Sequence, residues 1–115
     1  MKVTFSEEKN LERSLVAHLE GTVDVIGAQE IWASISNEVG ESPARVLIDF
    51  SDVSILTSAG IGTMVRIFTR LKAQGGSLAI FGCDPKVREI FCIVMLEEIL
   101  QVCDTREEAI ERLKG

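Results

Sequence analysis

Ser58 is the residue in this chain of 115 whose surroundings most suggest a chemical task. Before it runs Val46-Leu-Ile-Asp-Phe-Ser-Asp-Val-Ser-Ile-Leu-Thr57, and after it Ala59-Gly-Ile-Gly62. Val46, Leu47, Ile48 and Phe50 form an apolar run too short for a helix, which predicts a buried strand. From Ile61 the period changes, and Ile61, Met64, Val65, Phe68 and Leu71 recur at helical spacing. The Ser58 hydroxyl therefore sits at a strand-to-helix turn, beside the positive end of a helix dipole. A phosphate can be added at such a place, or a partner can dock. The plainer role for Thr57 or Ser58 is to cap the helix, worth about 1 kcal/mol.

Other chemistries fit less well. His18 is the sole histidine and lies in an apolar run that reads as a strand, so a satisfied, partly buried imidazole is expected rather than a general base. Asp24, Asp49 and Asp52 are within reach of one another in principle, yet no acid–base pair follows from their spacing. Cys83, Cys92 and Cys103 are spaced nine and eleven apart, which matches no zinc pattern, and one histidine does not complete a metal site. Cys92 falls in an apolar helical stretch and is expected to pack in the core. Gly60 and Gly62 allow tight turn geometry or close packing, but no Lys follows Gly62 as a phosphate-binding loop requires. Arg66 and Arg70, four apart, share a helix face. They read as a solvated face or as a cationic strip beside Ser58 that meets a partner's carboxylates.

The elements that must position these residues follow from periodicity and breakers. Residues 2–6 and 13–20 read as strands joined by a polar hairpin loop over 7–10. Asp24 reads as the N-cap of a helix with Ala28, Ile31, Trp32, Ile35 and Val39 on its apolar face, closed by Gly40 and Pro43. A strand over 45–50 leads to the helix from about Ala59 to Gly75-Gly76. Leu78 to Phe81 follow as a short buried strand. Asp84 then caps a helix with Pro85 at its first position, lined by Val87, Ile90, Phe91 and Val94. Ile99 to Val102 read as an edge strand. Thr105 and Glu108 form a capping box before a last helix through Leu113. The expectation is one α/β domain over residues 1–115, a mixed sheet of four or five strands with about four helices mainly on one face.

Composition narrows the function classes. Hydrophobic residues make up 46% and charged residues 26%, the balance of a chain with a packed core. A net charge of −6 argues against general nucleic-acid binding, which needs a basic footprint. Residues 1–57 carry ten acids and four bases, while 58–115 carry eight of each, so the acidic excess is confined to the first half. That half is a solubilising surface or a face that selects a basic partner. No run approaches the roughly 18 apolar residues of a membrane span. The start, MKVTFSEEKN, lacks the apolar core of a signal peptide. With an odd cysteine count this predicts a cytoplasmic protein with reduced thiols.

Taken in order, three blocks resemble the STAS domain, the module shared by sulphate transporters and bacterial anti-sigma factor antagonists. Gly21-Thr-Val-Asp24 resembles the family's Gly-x-Leu/Ile-Asp block, and Val46-Leu-Ile-Asp-Phe50 its central strand. Thr57-Ser-Ala-Gly-Ile-Gly62 resembles its Asp-Ser-Ser/Thr/Ala-Gly-Leu-Gly block, and Gln74-Gly75-Gly76 fits too. The likeness covers nearly the whole chain. It departs from the pattern at Thr57, where the family usually has Asp.

The resemblance implies a non-enzymatic partner-switching protein without cofactor or metal. Its partner would be an anti-sigma factor with serine kinase activity, with Ser58 as phospho-acceptor. Because Asp24 and the Thr57–Gly62 loop both sit at strand-to-helix junctions, they are expected at the same end of the sheet, which predicts a docking surface of Asp24, Thr57, Ser58, Ala59, Gly60, Ile61, Gly62 and Arg66. Two alternatives fit the same residues: an accessory subunit that grips the ATPase of a lipid or anion transporter, and a small nucleotide-binding protein using the glycines near Ser58.

Overall fold

The computed structural model describes residues 1–114. Five strands form one sheet in the sequential order β1-β2-β3-β4-β5. They are β1 (Lys2–Ser6), β2 (Ser14–Val23), β3 (Arg45–Leu56), β4 (Ser77–Phe81) and β5 (Val102–Cys103). The β1–β2 pair is antiparallel, as a hairpin must be. Every later pair is parallel and needs a helical crossover. These are α1 (Val25–Val39), α2 (Ser58–Ala73) and α3 (Pro85–Ile93).

This order dictates where the helices lie. Each crossover steps to the next strand in the same direction, and right-handed crossovers then place α1, α2 and α3 on one face. The core there joins Ala17, Leu19, Ile48, Phe50, Leu78 and Ile80 of the sheet to Ile31, Ile35, Met64, Ile67, Leu71 and Phe91 of the helices. The opposite face is covered by α4 (Arg106–Leu113), whose Ala109, Ile110 and Leu113 pack on Leu47, Ala79, Phe81 and Cys103. The expected mixed sheet, with helices mainly on one face, is the observed one.

Three expectations need correcting. The edge strand read over Ile99–Val102 is only Val102–Cys103, because residues 94–101 fold into turns that bury Leu100 beneath them. Cys92 and Val94 do not pack in the core. Helix α3 ends at Ile93, Val94 is its C-cap, and both residues face solvent while Val87 and Phe91 take the buried positions. Strands β2 and β3 run longer than their apolar stretches suggest, because their C-terminal halves pair past two register shifts.

Gly76 sits where α2 turns back into β4. A Cβ there would run into the Ala44 carbonyl oxygen, so only glycine lets this corner close. Gln74 and Arg70 seal the same corner. Arg70 donates to the Gly40 carbonyl at 2.9 Å and to Gln74 Oε1 at 2.9 Å, tying the C-terminal ends of α1 and α2 together. Arg66 and Arg70 do share a helix face, since the Arg70 guanidinium carbon also lies 5.6 Å from the centre of the Trp32 ring that Arg66 covers, but Arg70 is in addition a structural clasp toward the far end of α2 from Ser58.

Candidate functional site

Strands β2 and β3 pair to their last residues, with Val23 opposite Leu56. The residues that follow, Asp24 and Thr57, are therefore neighbours at one end of the sheet, and each opens a helix. Both have extended backbone, as N-caps do. Asp24 Oδ1 accepts the Gly27 amide at 2.8 Å, closing the first turn of α1. Thr57 makes no such bond, contrary to the capping role expected of it. Its amide and its hydroxyl both donate to the Val23 carbonyl, at 3.0 and 2.9 Å. Thr57 thus fastens the loop to β2 and leaves the first turn of α2 without a side-chain cap.

Ser58 is the first residue of that turn and is exposed. Ala59 and Ile61 are half-buried, Ile61 against the main core, and Gly62 is exposed. Gly60 is buried, so it supports the loop from beneath and presents little surface. A Cβ on it would meet Val23 Cγ1 at 2.5 Å and Leu56 Cδ1 at 2.6 Å. Gly62 has no atom within 4 Å of such a Cβ. Of the two glycines, only Gly60 is required by close packing. Arg66 is exposed, and its guanidinium carbon lies 3.8 Å from the centre of the Trp32 ring. Such stacking orients the charge without neutralising it.

Sequence reasoning missed the apolar rim of this end. Val25, Ile26 and Ile55 are 60%, 67% and 53% exposed and flank Asp24 and the Ser58 loop. The signal was present: Val25 and Ile26 are apolar but lie off the core stripe defined by Ala28, Ile31 and Ile35.

A second constellation lies on the face that α4 leaves partly open. His18 Nδ1 is 2.9 Å from Asp49 Oδ2, and its Nε2 is 2.8 Å from Asp52 Oδ2. Carboxylates three apart on a regular strand would point to opposite faces. The register shift after the His18–Asp49 pair turns both toward the imidazole. The hydrogen bond with Asp49 raises the His18 pKa against the opposing effect of burial. Burial pushes Asp49 up, but the Ser51 amide and His18 outweigh it and hold its carboxyl below the usual range. Asp24 is not part of this group; one of its oxygens is committed to the Gly27 amide. Among the described residues, His18, Glu20 and Asp52 bring ligand atoms within 4.8 Å of one another and are the set that could hold a cation, though both ring nitrogens already face carboxylates.

The thiols are not activated. Burial pushes Cys83 up to about 12 and raises Cys103, and the Glu97 charge raises Cys92. Among the described residues, no helix is long and apolar enough to cross a membrane.

A family model described as "STAS domain" matches residues 6–109. The Anti-sigma-B factor antagonist of Bacillus subtilis is 27% identical over 103 residues, covering 90% of this chain and 94% of that protein. The unphosphorylated anti-sigma factor antagonist SpoIIAA superposes with a TM-score of 0.77 at 27% identity, covering 97% of each chain. The phosphorylated form of SpoIIAA, a Bacillus cell fate determinant, superposes with a TM-score of 0.70 at 26% identity, over 96% of this chain and 100% of that one.

Proposed function

Because this chain belongs to the STAS domain family, and relatives spanning nearly its whole length are anti-sigma factor antagonists, we propose that it is itself an anti-sigma factor antagonist switched by phosphorylation of Ser58. The unmodified protein binds an anti-sigma factor that is also a serine kinase, in the cytoplasm, and so frees a sigma factor. Its role is regulatory: it binds, and is modified, rather than catalysing.

The observation that carries this reading is the uncapped first turn of α2 with Ser58 at its head. A phosphate there adds about −1.5 to −2 charges, next to amides that no side chain has claimed. The protein would accommodate the modified state without refolding. The partner would not, because the docking surface comprises this same loop. That surface consists of Asp24, Thr57, Ser58, Ala59, Ile61 and Gly62, with Arg66 beyond them and Gly60 beneath. Exposed Val25, Ile26 and Ile55 supply apolar contact beside these polar groups.

Incubation with the cognate kinase and ATP, followed by mass spectrometry, should place one phosphate on Ser58. Calorimetry against the unmodified partner should show Ser58→Ala binding nearly as the parent does and Ser58→Asp binding more weakly. Phosphate on Thr57 or Thr63 with none on Ser58 would overturn the assignment. So would a folded Ser58→Asp protein that binds as tightly as the parent.

A further inference from the structure

At the other end of the sheet, where the parallel strands begin, four cations converge from four separate parts of the chain. Arg13 precedes β2, Arg45 opens β3, Lys72 lies in the last turn of α2 and Arg112 in the last turn of α4. They line a pocket of about 430 Å³ together with Ser77. Among the described residues, Glu12 is the one carboxylate in that lining. Such a concentration of positive charge is unexpected in a chain of net charge −6.

The arginines of this pocket differ from the rest. Each arginine elsewhere has a partner. Arg66 lies over Trp32, Arg70 donates to the Gly40 carbonyl, Arg88 pairs with Asp104 at 2.7 Å, and Arg106 with Glu8 at 2.8 Å. Among the described residues, Arg13, Arg45 and Arg112 have no carboxylate within 4.0 Å and no hydrogen-bonded partner for their guanidinium groups.

A plain structural role covers only part of the cluster. Lys72 and Arg112 complement the negative ends of α2 and α4. Arg13 and Arg45 belong to no helix. Arg13 moreover adopts a φ of 54°, the left-handed region that few non-glycine residues occupy. Its carbonyl accepts the Arg45 amide at 2.9 Å, which fixes the two residues side by side.

We propose that this pocket binds a small, multiply charged phosphate anion of the diphosphate class. Three guanidinium groups offer paired donors that match phosphate oxygens, while the Lys72 ammonium lies 5.9 Å from the centre of the Phe68 ring and adds charge only at the margin. The volume admits more than a single phosphate. No aromatic side chain lines it, so nothing is offered for a base to stack on. Recognition is therefore of the phosphates and not of an attached ring. The site lies at the opposite end of the sheet from Ser58, so both can be occupied at once.

The test is titration of the full chain with pyrophosphate by calorimetry, with chloride at matched ionic strength as control. Saturable binding of pyrophosphate but not of chloride is expected. Arg45→Gln and Arg112→Gln should each weaken it by about tenfold or more, with melting temperatures near the parent's, while Ser58→Ala leaves it unchanged. Co-sedimentation with phosphatidic acid vesicles separates a lipid phosphate from a soluble one. A site selective for a soluble diphosphate predicts little capture beyond that of phosphatidylcholine vesicles. Absence of saturable pyrophosphate binding, binding indifferent to both arginine variants, or vesicle capture without pyrophosphate binding would each overturn the proposal.

Discussion

Helices α1 and α2 begin alike. Each starts at the C-terminal end of a long parallel strand, the two strands are neighbours, and each helix has a buried glycine three residues past its N-cap: Gly27 after Asp24, and Gly60 after Thr57. In both, a Cβ on that glycine would collide with the end of β2, meeting the Thr22 carbonyl oxygen at 2.5 Å in α1 and Val23 Cγ1 at 2.5 Å in α2. The difference is the cap. Asp24 spends its side chain inward, on the Gly27 amide. Thr57 spends its side chain backward, on the Val23 carbonyl. One first turn is closed by its own residue; the other is held in place yet left open. In a fold where Asp84 and Thr105 also cap their helices, α2 is the exception, and the residue at its head is Ser58.

The largest effect expected from disturbing this pair comes from its shared glycine. Gly60→Val should destabilise by about 3 kcal/mol or more, since the added carbons displace Val23 and Leu56 from the core. Gly62→Ala should instead be neutral or stabilise by up to about 1 kcal/mol, because open space surrounds it and alanine favours helix. Denaturant unfolding of both variants measures the contrast, and equal losses would show that Gly60 is not a packing residue.

The caps themselves come next. Asp24→Ala should cost about 1 kcal/mol through the lost bond to Gly27. Thr57→Val should cost a similar or smaller amount, and its hydrogen-exchange signature should differ. Asp24→Ala should speed exchange of the Gly27 amide. Thr57→Val should loosen the end of β2 and leave the Gly60 amide no less protected than before. If Thr57→Val accelerates exchange at Gly60, the threonine is a cap after all and the two helix starts are equivalent.

The smallest effect concerns the strands that carry both junctions. His18 joins β2 to β3 through Asp49 and Asp52. Its pKa is raised in the folded state, so its contribution is fully present below the unfolded value of about 6.5 and is lost as pH rises through the higher folded value. Asp49 is lowered, so its contribution is present above the unfolded value of about 3.9 and is lost as pH falls through the lower folded value. Solvent screening keeps both effects modest, because the Asp52 end of the bridge is open to water. The melting temperature should decline from mildly acidic to mildly alkaline pH, and His18→Gln should flatten that limb. An unchanged slope in the variant would place the dependence elsewhere.

The sequence made the elements legible where one physical signal dominated. Periodicity revealed α1 and α2, Asp84-Pro85 marked the start of α3, and Thr105 with Glu108 marked α4. Thr105 does accept the Glu108 amide, and Glu108 accepts that of Asp104. What escaped depends on register and on competition between partners. Val94 looked like a core residue because helix periodicity does not announce that the helix stops at Ile93, and Cys92 looked like one because it sits in an apolar stretch, although one residue past Phe91 turns it off the buried stripe of Val87 and Phe91. The imidazole bridge escaped because a register shift decides which way Asp52 points. The role of Thr57 escaped because a hydroxyl beside a helix start has two acceptable acceptors or donors, and only the adjacent strand determines which one it takes.

Arg66 over Trp32 has an optical consequence. The chain holds one tryptophan and no tyrosine, so its near-ultraviolet emission comes essentially from a single indole. That indole is half-buried in the seam between α1 and α2, under the guanidinium of Arg66, a residue of the proposed docking surface. Any partner that draws Arg66 away uncovers the ring, and the change in colour and intensity of its fluorescence reports the event without a label.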